Sequence, residues 1–225
     1  MRTKGFFITG TDTGIGKTRV TLAIIQAYKA RGMKVSGMKP VASGCIEKDG
    51  ELKNEDALII QSISSEPYSY KQINPYAFKE PIAPHFAAEN AGTSIDIEKI
   101  VDAYNSLAEQ NDIVIVEGAG GWRVPMSADF STCDVVRALD IPVILVVGLR
   151  LGCINHALLT NQAIQSDNIL LAGWVANCID QDYQNVGKTV QTLARHITAP
   201  LLGKLSFLPI CNTTAPAMDI NIDLL

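Results

Sequence analysis

The sequence predicts an α/β fold with a mostly parallel central sheet that is flanked by helices on both faces. Short runs rich in Val, Ile and Leu alternate along the chain with longer stretches of helical period, and this is the pattern of a sheet covered on both sides. The 225 residues, of which 47% are hydrophobic and 19% charged, also suit one large α/β domain with a substantial core. We therefore expect a single domain over residues 1–225.

Six strands and six longer helices are expected in order along the chain. The strands are short apolar runs, and the helices have apolar residues at helical spacing. The first helix stops at Gly32, a residue typical of helix C-termini. The strands are expected at residues 5–9, 34–39, 112–117, 142–148, 170–177 and 200–205. The helices are expected at residues 17–31, 55–63, 97–110, 132–139, 155–165 and 183–197, with a short one at 84–89.

The segment GTDTGIGKT, residues 10–18, lies between the first strand and the first helix. Its glycines let backbone N–H groups point at an anion, Lys17 adds a positive charge, and the Thr18 hydroxyl can hold Mg²⁺. Five residues separate Gly10 from Gly16 instead of the usual four, so the loop is a variant. Its place between a strand and a helix predicts a P-loop NTPase-like fold that binds phosphate, against the alternative of a simple Gly-rich turn.

Charged residues follow the predicted strands, where open parallel sheets bind their ligands. Glu117 ends the third strand and would supply negative charge to Mg²⁺, against the alternative of a surface glutamate at a strand end. Asp56 is equally a second metal carboxylate or a helix-start residue favoured by the helix dipole. Lys39 and Ser43 follow the second strand, where a lone lysine is also explained by a solvated strand end.

A second glycine turn, at residues 149–156, follows the fourth strand and begins a helix. Its free N–H groups would suit a carboxylate, although a packing turn is at least as good an explanation. The letters Gly187-Lys188-Thr189 repeat the end of the phosphate motif inside a helical pattern, so we interpret them as coincidence. His196 has no second ligand at metal spacing.

Composition argues against several classes of protein. A net charge of −4 without a long basic block makes nucleic-acid binding unexpected. The apolar runs are too short to span a bilayer, and the first residues do not form a secretory signal, so we expect a cytoplasmic protein without a membrane anchor. The scattered cysteines predict neither a disulfide framework nor a structural zinc site. They are Cys45, Cys133, Cys153, Cys178 and Cys211.

Seven motifs together follow an order and spacing that resemble the dethiobiotin synthetases. They are GTDTGIGKT, GMKPVASG, NEDAL, NPYAF with EPIAPH, VEGAGGW, PVILVVGLRLGCINHALLT and LAGWVAN. The resemblance implies a homodimeric enzyme that uses ATP and Mg²⁺ to join CO₂ to 7,8-diaminononanoate. It further implies that dethiobiotin, ADP and phosphate form by way of a carbamate and a carbamic–phosphoric anhydride.

The resemblance also implies roles for individual residues, with the substrate held at the dimer interface by a turn of the partner subunit. The implied catalytic residues are Lys17, Lys39, Thr11 and Ser43. The implied nucleotide-binding residues are Asp12, Thr13, Gly14, Ile15, Gly16, Lys17, Thr18 and, at the adenine edge, Asn177. The implied metal ligands are Thr18, Asp56 and Glu117. The implied substrate-binding residues are Thr11, Lys39, Ser43, Gly120, Cys153, Ile154 and Asn155.

Two departures and two alternatives accompany this interpretation. Gly14 stands where many members carry glutamate, and residues 205–208 lack the proline often found at the base-binding turn. An amidotransferase-type ligase acting on a cobyrinic acid precursor would need a long glutaminase domain, for which 225 residues leave no room. A nucleotide-dependent switch would be expected to carry a further lysine near the start of the loop, where Asp12 stands, and a basic amphipathic C-terminal helix.

Overall fold

The predicted α/β architecture is confirmed by a computed structural model, which describes residues 4–208 and 220–225. The strands are β1 (Lys4–Gly10), β2 (Val35–Met38), β3 (Val41–Ala42), β4 (Ile46–Lys48), β5 (Glu51–Lys53), β6 (Tyr76–Ala77), β7 (Ile113–Glu117), β8 (Val143–Leu149), β9 (Leu171–Cys178) and β10 (Leu201–Leu205). The helices are α1 (Lys17–Ala30), α2 (Glu55–Ile63), α3 (Tyr70–Ile73), α4 (Pro84–Asn90), α5 (Ile97–Ala108), α6 (Thr132–Leu139), α7 (Cys153–Ser166) and α8 (Val186–His196), followed by a 3-10 turn at Ile222–Leu224. Cys211 lies outside the described residues.

The six predicted strands form one six-stranded sheet in the order β10-β9-β8-β1-β7-β2. Every pairing within it is parallel. The chain leaves β1 in the middle of the sheet, with β7 on one side and β8 on the other. The carboxyl ends of these strands therefore share one edge with the loop at residues 10–18, which is where ligands of such sheets bind.

Alternate residues of β1 point to opposite faces of the sheet. Phe7 packs in a core that includes residues of α5 and α6, whereas Phe6 and Ile8 pack in a second core with α1. Residues of β8 and β9, including the fully buried Trp174, pack against α7 and α8. Helices thus cover both faces, as the apolar character of the strands predicts.

The element bounds differ from the predictions at several places. Helix α7 begins at Cys153, two residues earlier than expected, and α8 begins at Val186, three residues later. The short strands β3 to β6 and the helix α3 were not predicted. The strands of the β4–β5 hairpin have three residues each and only one apolar residue per strand, Ile46 and Leu52, so no apolar periodicity marks them. The signal of the hairpin is the Asp49-Gly50 turn, in which both residues have positive φ, at 55° and 76°, as two-residue hairpin turns require.

In the described ranges no helix is both long enough and apolar enough to cross a membrane. The Gly187-Lys188-Thr189 repeat lies in the first turn of α8. It is therefore part of a helix, as expected from its pattern, and Thr189 is buried there with its hydroxyl bonded to Tyr183.

Candidate active site

The loop between β1 and α1 curls around Gly16, which directly precedes the helix. Gly16 has a φ of 85°, in the left-handed region that side-chain-bearing residues avoid. A Cβ added there would overlap the Nδ2 atom of Asn177. Glycine is therefore required both by the backbone and by the neighbouring amide.

Lys17 is buried at the start of α1, and its Nζ donates a hydrogen bond to the Asp12 carbonyl at 2.9 Å. The pKa of Lys17 is lowered to about 8, mainly by burial and also by the positive charge of Lys39, although the negative charges of Glu117, Asp56 and Asp12 oppose the shift. The ammonium therefore lies where water solvates it poorly. An anion bound in the loop would favour its charged form.

A buried ion-pair cluster lies beside the loop at the ends of β2 and β7. Lys39 Nζ lies 2.6 Å from Glu117 Oε1 and 2.9 Å from Asp56 Oδ2. Burial alone would lower the pKa of Lys39, but attraction to Glu117 and Asp56 outweighs it and raises that pKa above its ordinary value. The lysine predicted at a strand end is thus a fixed buried cation.

Glu117 has the features of a carboxylate that helps to hold a cation. Its Oε1 also accepts a hydrogen bond from the Thr18 hydroxyl at 2.9 Å. Its Oε2 is buried and has no hydrogen-bond partner among the described residues, and such an orphaned oxygen is unfavourable without a ligand. The described residues hold no cluster of three or more His, Cys, Asp and Glu side chains suited to a metal. The two carboxylates and the hydroxyl of Asp56, Glu117 and Thr18 are oxygen donors of the kind that could hold Mg²⁺.

The other side of the loop is formed by Asn177 at the end of β9. Its Nδ2 donates to the Ile15 carbonyl at 2.7 Å, and its Oδ1 accepts from Arg19 Nη1 at 3.0 Å. Arg19 Nη1 also donates to the Ser206 carbonyl at 2.7 Å. Sequence reasoning missed Arg19, although its place in the first turn of α1, directly after the Gly-Lys-Thr triplet, was a usable signal.

These groups share one cleft of about 710 Å³, a size typical of small-molecule sites. Among the residues predicted for the site, those that line the cleft are Thr13, Gly14, Gly16, Lys17, Thr18, Lys39, Ser43, Asp56, Glu117, Gly120 and Asn177. Those that do not line it are Thr11, Asp12, Ile15, Cys153, Ile154 and Asn155. Gly14 meets no atom within 4 Å of where a Cβ would stand, so the loop is open at the position that often carries glutamate in the resembled family.

Two of the residues outside the cleft, Ile15 and Asp12, have packing or hydrogen-bonding roles. The Ile15 side chain is buried in the core, so only its backbone remains a predicted nucleotide contact. The Asp12 carboxylate accepts from Thr13 N at 2.7 Å and from Arg150 Nη2 at 2.6 Å. Cys153, Ile154 and Asn155 form the first turn of α7. Arg150 thereby connects the predicted substrate turn to the phosphate loop.

Asn74 is a positioning residue that sequence reasoning also missed. It is buried, and its Nδ2 donates to the Lys39 carbonyl at 2.6 Å and to the Tyr76 carbonyl at 3.1 Å. Its Oδ1 accepts from the Tyr70 hydroxyl at 2.9 Å. The backbone that carries Lys39 is therefore fixed by the first residue of the NPYAF motif.

Comparison with known proteins connects the whole chain to one enzyme family. A family model described as an AAA domain matches residues 4–215. The ATP-dependent dethiobiotin synthetase BioD of Xanthomonas oryzae pv. oryzae (strain PXO99A) is 43% identical over 222 residues, which are 99% of each chain. The enzyme of the same name from Cellvibrio japonicus is 43% identical over 99% of this chain and 97% of its own. That of Xylella fastidiosa (strain Temecula1) is 44% identical over 93% of this chain and 92% of its own.

Two solved structures share the fold at low sequence identity. The MinD cell division protein of Aquifex aeolicus matches with a TM-score of 0.58 and 17% identity, over 98% of this chain and 94% of its own. A ParA family ATPase from Chlorobium tepidum TLS matches with a TM-score of 0.54 and 15% identity, over 92% of this chain and 86% of its own. At such identities the likeness bears on the α/β fold alone.

Proposed function

The chain belongs to the ATP-dependent dethiobiotin synthetase family, and from this premise we propose that it makes dethiobiotin from 7,8-diaminononanoate, CO₂ and ATP. The observation that carries the proposal is the buried Lys39–Glu117 ion pair beside a phosphate loop, in a chain 43% identical to such enzymes over its full length. A buried cation that lines the same cleft as the phosphate loop suits phosphoryl transfer to a bound anion.

The proposed reaction joins two amines through one carbon in three steps. One amine attacks CO₂, forms a C–N bond and loses a proton, which leaves a carbamate. A carbamate oxygen attacks the γ-phosphorus, and ADP leaves with the electrons of the broken P–O bond. The second amine then attacks the carbamoyl carbon and loses a proton, the C–O bond to phosphate breaks, and phosphate leaves with the electrons of that bond as the cyclic urea closes.

The phosphate loop is proposed to bind the triphosphate through residues 12–18. The positive end of α1 and the Lys17 ammonium both favour an anion at this place. The pKa of Lys17, lowered to about 8 mainly by burial, supports this role because a phosphate restores the charged form that burial disfavours. Asn177 is proposed to bind the adenine edge with its remaining donor and acceptor.

Thr18, Asp56 and Glu117 are proposed to hold Mg²⁺, which neutralises charge on the phosphates when bound. Lys39 contacts both carboxylates, so its ammonium is held beside the proposed metal ligands. From there it would stabilise negative charge on the carbamate and on the transferred phosphoryl group. Thr11 and Ser43 are proposed to orient the carbamate by hydrogen bonds.

The substrate carboxylate is proposed to bind at a homodimer interface. There it would contact Gly120 and the turn at residues 149–156, which includes the first residues of α7. The first turn of a helix has N–H groups without intrahelical partners, and these suit a carboxylate. Leu151 in this turn is 89% exposed, as an apolar interface residue would be in one isolated subunit.

We further propose that the chain works as one domain in the cytoplasm, which is supported by the family match over residues 4–215 and by free thiols at Cys45, Cys133, Cys153 and Cys178.

The test is a reconstitution with the purified protein and mass spectrometry of the product. Dethiobiotin is expected only when diamine, bicarbonate, Mg²⁺ and ATP are all present, with one ADP released for each product molecule. Omission of any one component should abolish the product. ATP hydrolysis that is unaffected by the diamine, without dethiobiotin, would contradict the proposal.

A further inference from the structure

The Asn177 side-chain amide can adopt only one orientation that satisfies both of its protein partners. An arginine guanidinium carries donors and no acceptor, whereas a backbone carbonyl carries acceptors and no donor. Arg19 therefore requires the oxygen of the amide, at 3.0 Å, and the Ile15 carbonyl requires its nitrogen, at 2.7 Å. Rotating the amide by 180° would lose both hydrogen bonds, because its N–H groups would then face the Arg19 guanidinium and its oxygen would face the Ile15 carbonyl.

The fixed amide is 2% exposed and lines the cleft. An amide oxygen has two acceptor sites and an amide nitrogen has two N–H groups, so one acceptor site and one donor remain after the two protein bonds. This pair matches a base edge that presents a donor beside an acceptor. Adenine presents such an edge through its N6 amino group and N7, whereas a 6-oxopurine presents two acceptors there.

We infer that Arg19 is a positioning residue which, by fixing the amide of Asn177, makes the site selective for 6-aminopurine nucleotides. The inference rests on the proposed function only in placing the base against Asn177. Arg19 does not need to contact the nucleotide for this role. Without it, the amide keeps one partner and reorients more readily toward an acceptor of the base.

Arg19 has a second role that must be separated from the first. Its Nη1 also donates to the Ser206 carbonyl at 2.7 Å, next to Phe207 and Leu208, which line the same cleft. Loss of Arg19 would therefore loosen this wall and remove a positive charge near the phosphates. Both effects should weaken all purine triphosphates alike, because neither acts on the 6-substituent by which the two bases differ. The ratio of affinities between two purines isolates the effect of the amide.

The experiment compares ATP with inosine triphosphate, which has an oxygen in place of the 6-amino group. Each nucleotide is titrated into the full chain with Mg²⁺ by calorimetry, without the diamine, and kcat and KM are measured separately. We expect the unaltered protein to prefer ATP by about tenfold or more, as a bidentate base contact provides. In Arg19→Met this preference should fall to about threefold or less, with KM for ATP raised and kcat for dethiobiotin formation within about twofold of the original.

Arg19→Glu sharpens the test because it replaces the donor by an acceptor, which pulls the Asn177 nitrogen away from Ile15. Its preference for ATP should be the lowest of the series. Arg195→Met, which removes an exposed arginine at the end of α8, should keep the full preference. Circular dichroism and the urea midpoint confirm folding of each variant.

The inference is overturned if the unaltered protein does not distinguish the two nucleotides, or if folded Arg19→Met and Arg19→Glu keep its preference. Failure to form dethiobiotin, with the nucleotide preference and its loss as expected, would instead contradict the proposed function and leave this inference supported.

Discussion

Lys39 and Glu117 form a buried ion pair, 2.6 Å long, between residues that are 78 positions apart in the chain. The same Glu117 oxygen accepts the Thr18 hydroxyl at 2.9 Å, so one carboxylate connects the phosphate loop to the end of β2. The proposed metal ligands and the proposed catalytic lysine are therefore coupled. Changes to either partner are expected to affect both the stability and the chemistry of the site.

Lys39→Met should lower turnover by about a hundredfold or more, because a transition-state charge contact is lost. It should also destabilise the fold by about 3–5 kcal/mol, since Glu117 is left buried without its cation. Steady-state kinetics and urea unfolding measure the two effects. Lys188→Met, which removes an exposed lysine of α8 from the second Gly-Lys-Thr triplet, should change neither. Unaltered kinetics in Lys39→Met would remove that residue from the mechanism.

Nucleotide binding should take up a proton above pH 8. The pKa of Lys17 is about 8 in the free protein, lowered chiefly by burial, and phosphate raises it. At pH 8.5 the uptake is expected to reach at most about three quarters of a proton. Calorimetry of ADP binding in two buffers with different ionisation enthalpies measures it. Lys17→Arg stays charged at this pH and should bind without uptake. Equal uptake in both proteins would assign the proton to another group.

The two lysines should affect stability against pH with opposite signs. The folded-state pKa of Lys17 lies below its unfolded value of 10.5, so at this group the folded chain binds fewer protons than the unfolded chain between about pH 8 and 10.5. Lys17 therefore raises the free energy of unfolding as pH rises through this range. Lys39 has a raised pKa, so its stabilisation is complete below pH 10.5 and is lost only at higher pH.

Gly16→Ala should abolish most nucleotide binding, whereas Gly14→Ala should be mild. Both glycines have positive φ, at 85° and 71°, so each alanine costs about 1–2 kcal/mol of backbone strain. Only the Gly16 methyl group would also overlap Asn177, while the Gly14 position is open. Calorimetry with ADP should show at least about a tenfold loss for Gly16→Ala beyond that for Gly14→Ala. Similar losses in both would mean that strain alone governs the loop.

A shared active site predicts complementation between two inactive variants. Lys17→Met disables the phosphate loop of its own subunit, and Asn155→Ala disables the turn that the partner would use. In a random mixture half of the dimers are mixed and each of these has one intact site, so about a quarter of the original activity should return. Activity is measured after joint refolding. If the mixture stays as inactive as its components, the interface site is excluded.

Much of the fold followed from local pattern, whereas the contacts of the site did not. The six strands of the sheet are marked by their apolar runs, and the phosphate loop is marked by the motif at residues 10–18. Both signals depend only on residues that are close together in the sequence. Strand order determines which distant residues meet. It brings Lys39 to Glu117, and it brings Arg19 to Asn177, which lies 158 positions further along the chain. The order of a parallel sheet is set by helix crossovers and packing, which apolar periodicity does not encode. The β4–β5 hairpin was missed because each of its three-residue strands has only one apolar residue, although Asp49-Gly50 marked its turn.

The most direct test of the account follows the atoms of doubly labelled bicarbonate, carrying carbon-13 and oxygen-18, through one reaction with diamine and MgATP. We expect carbon-13 in the ring carbonyl of dethiobiotin and one oxygen-18 in the released phosphate, because a carbamate oxygen attacks the γ-phosphorus and leaves with it. Phosphate that carries only oxygen from water, without labelled dethiobiotin, would contradict the account.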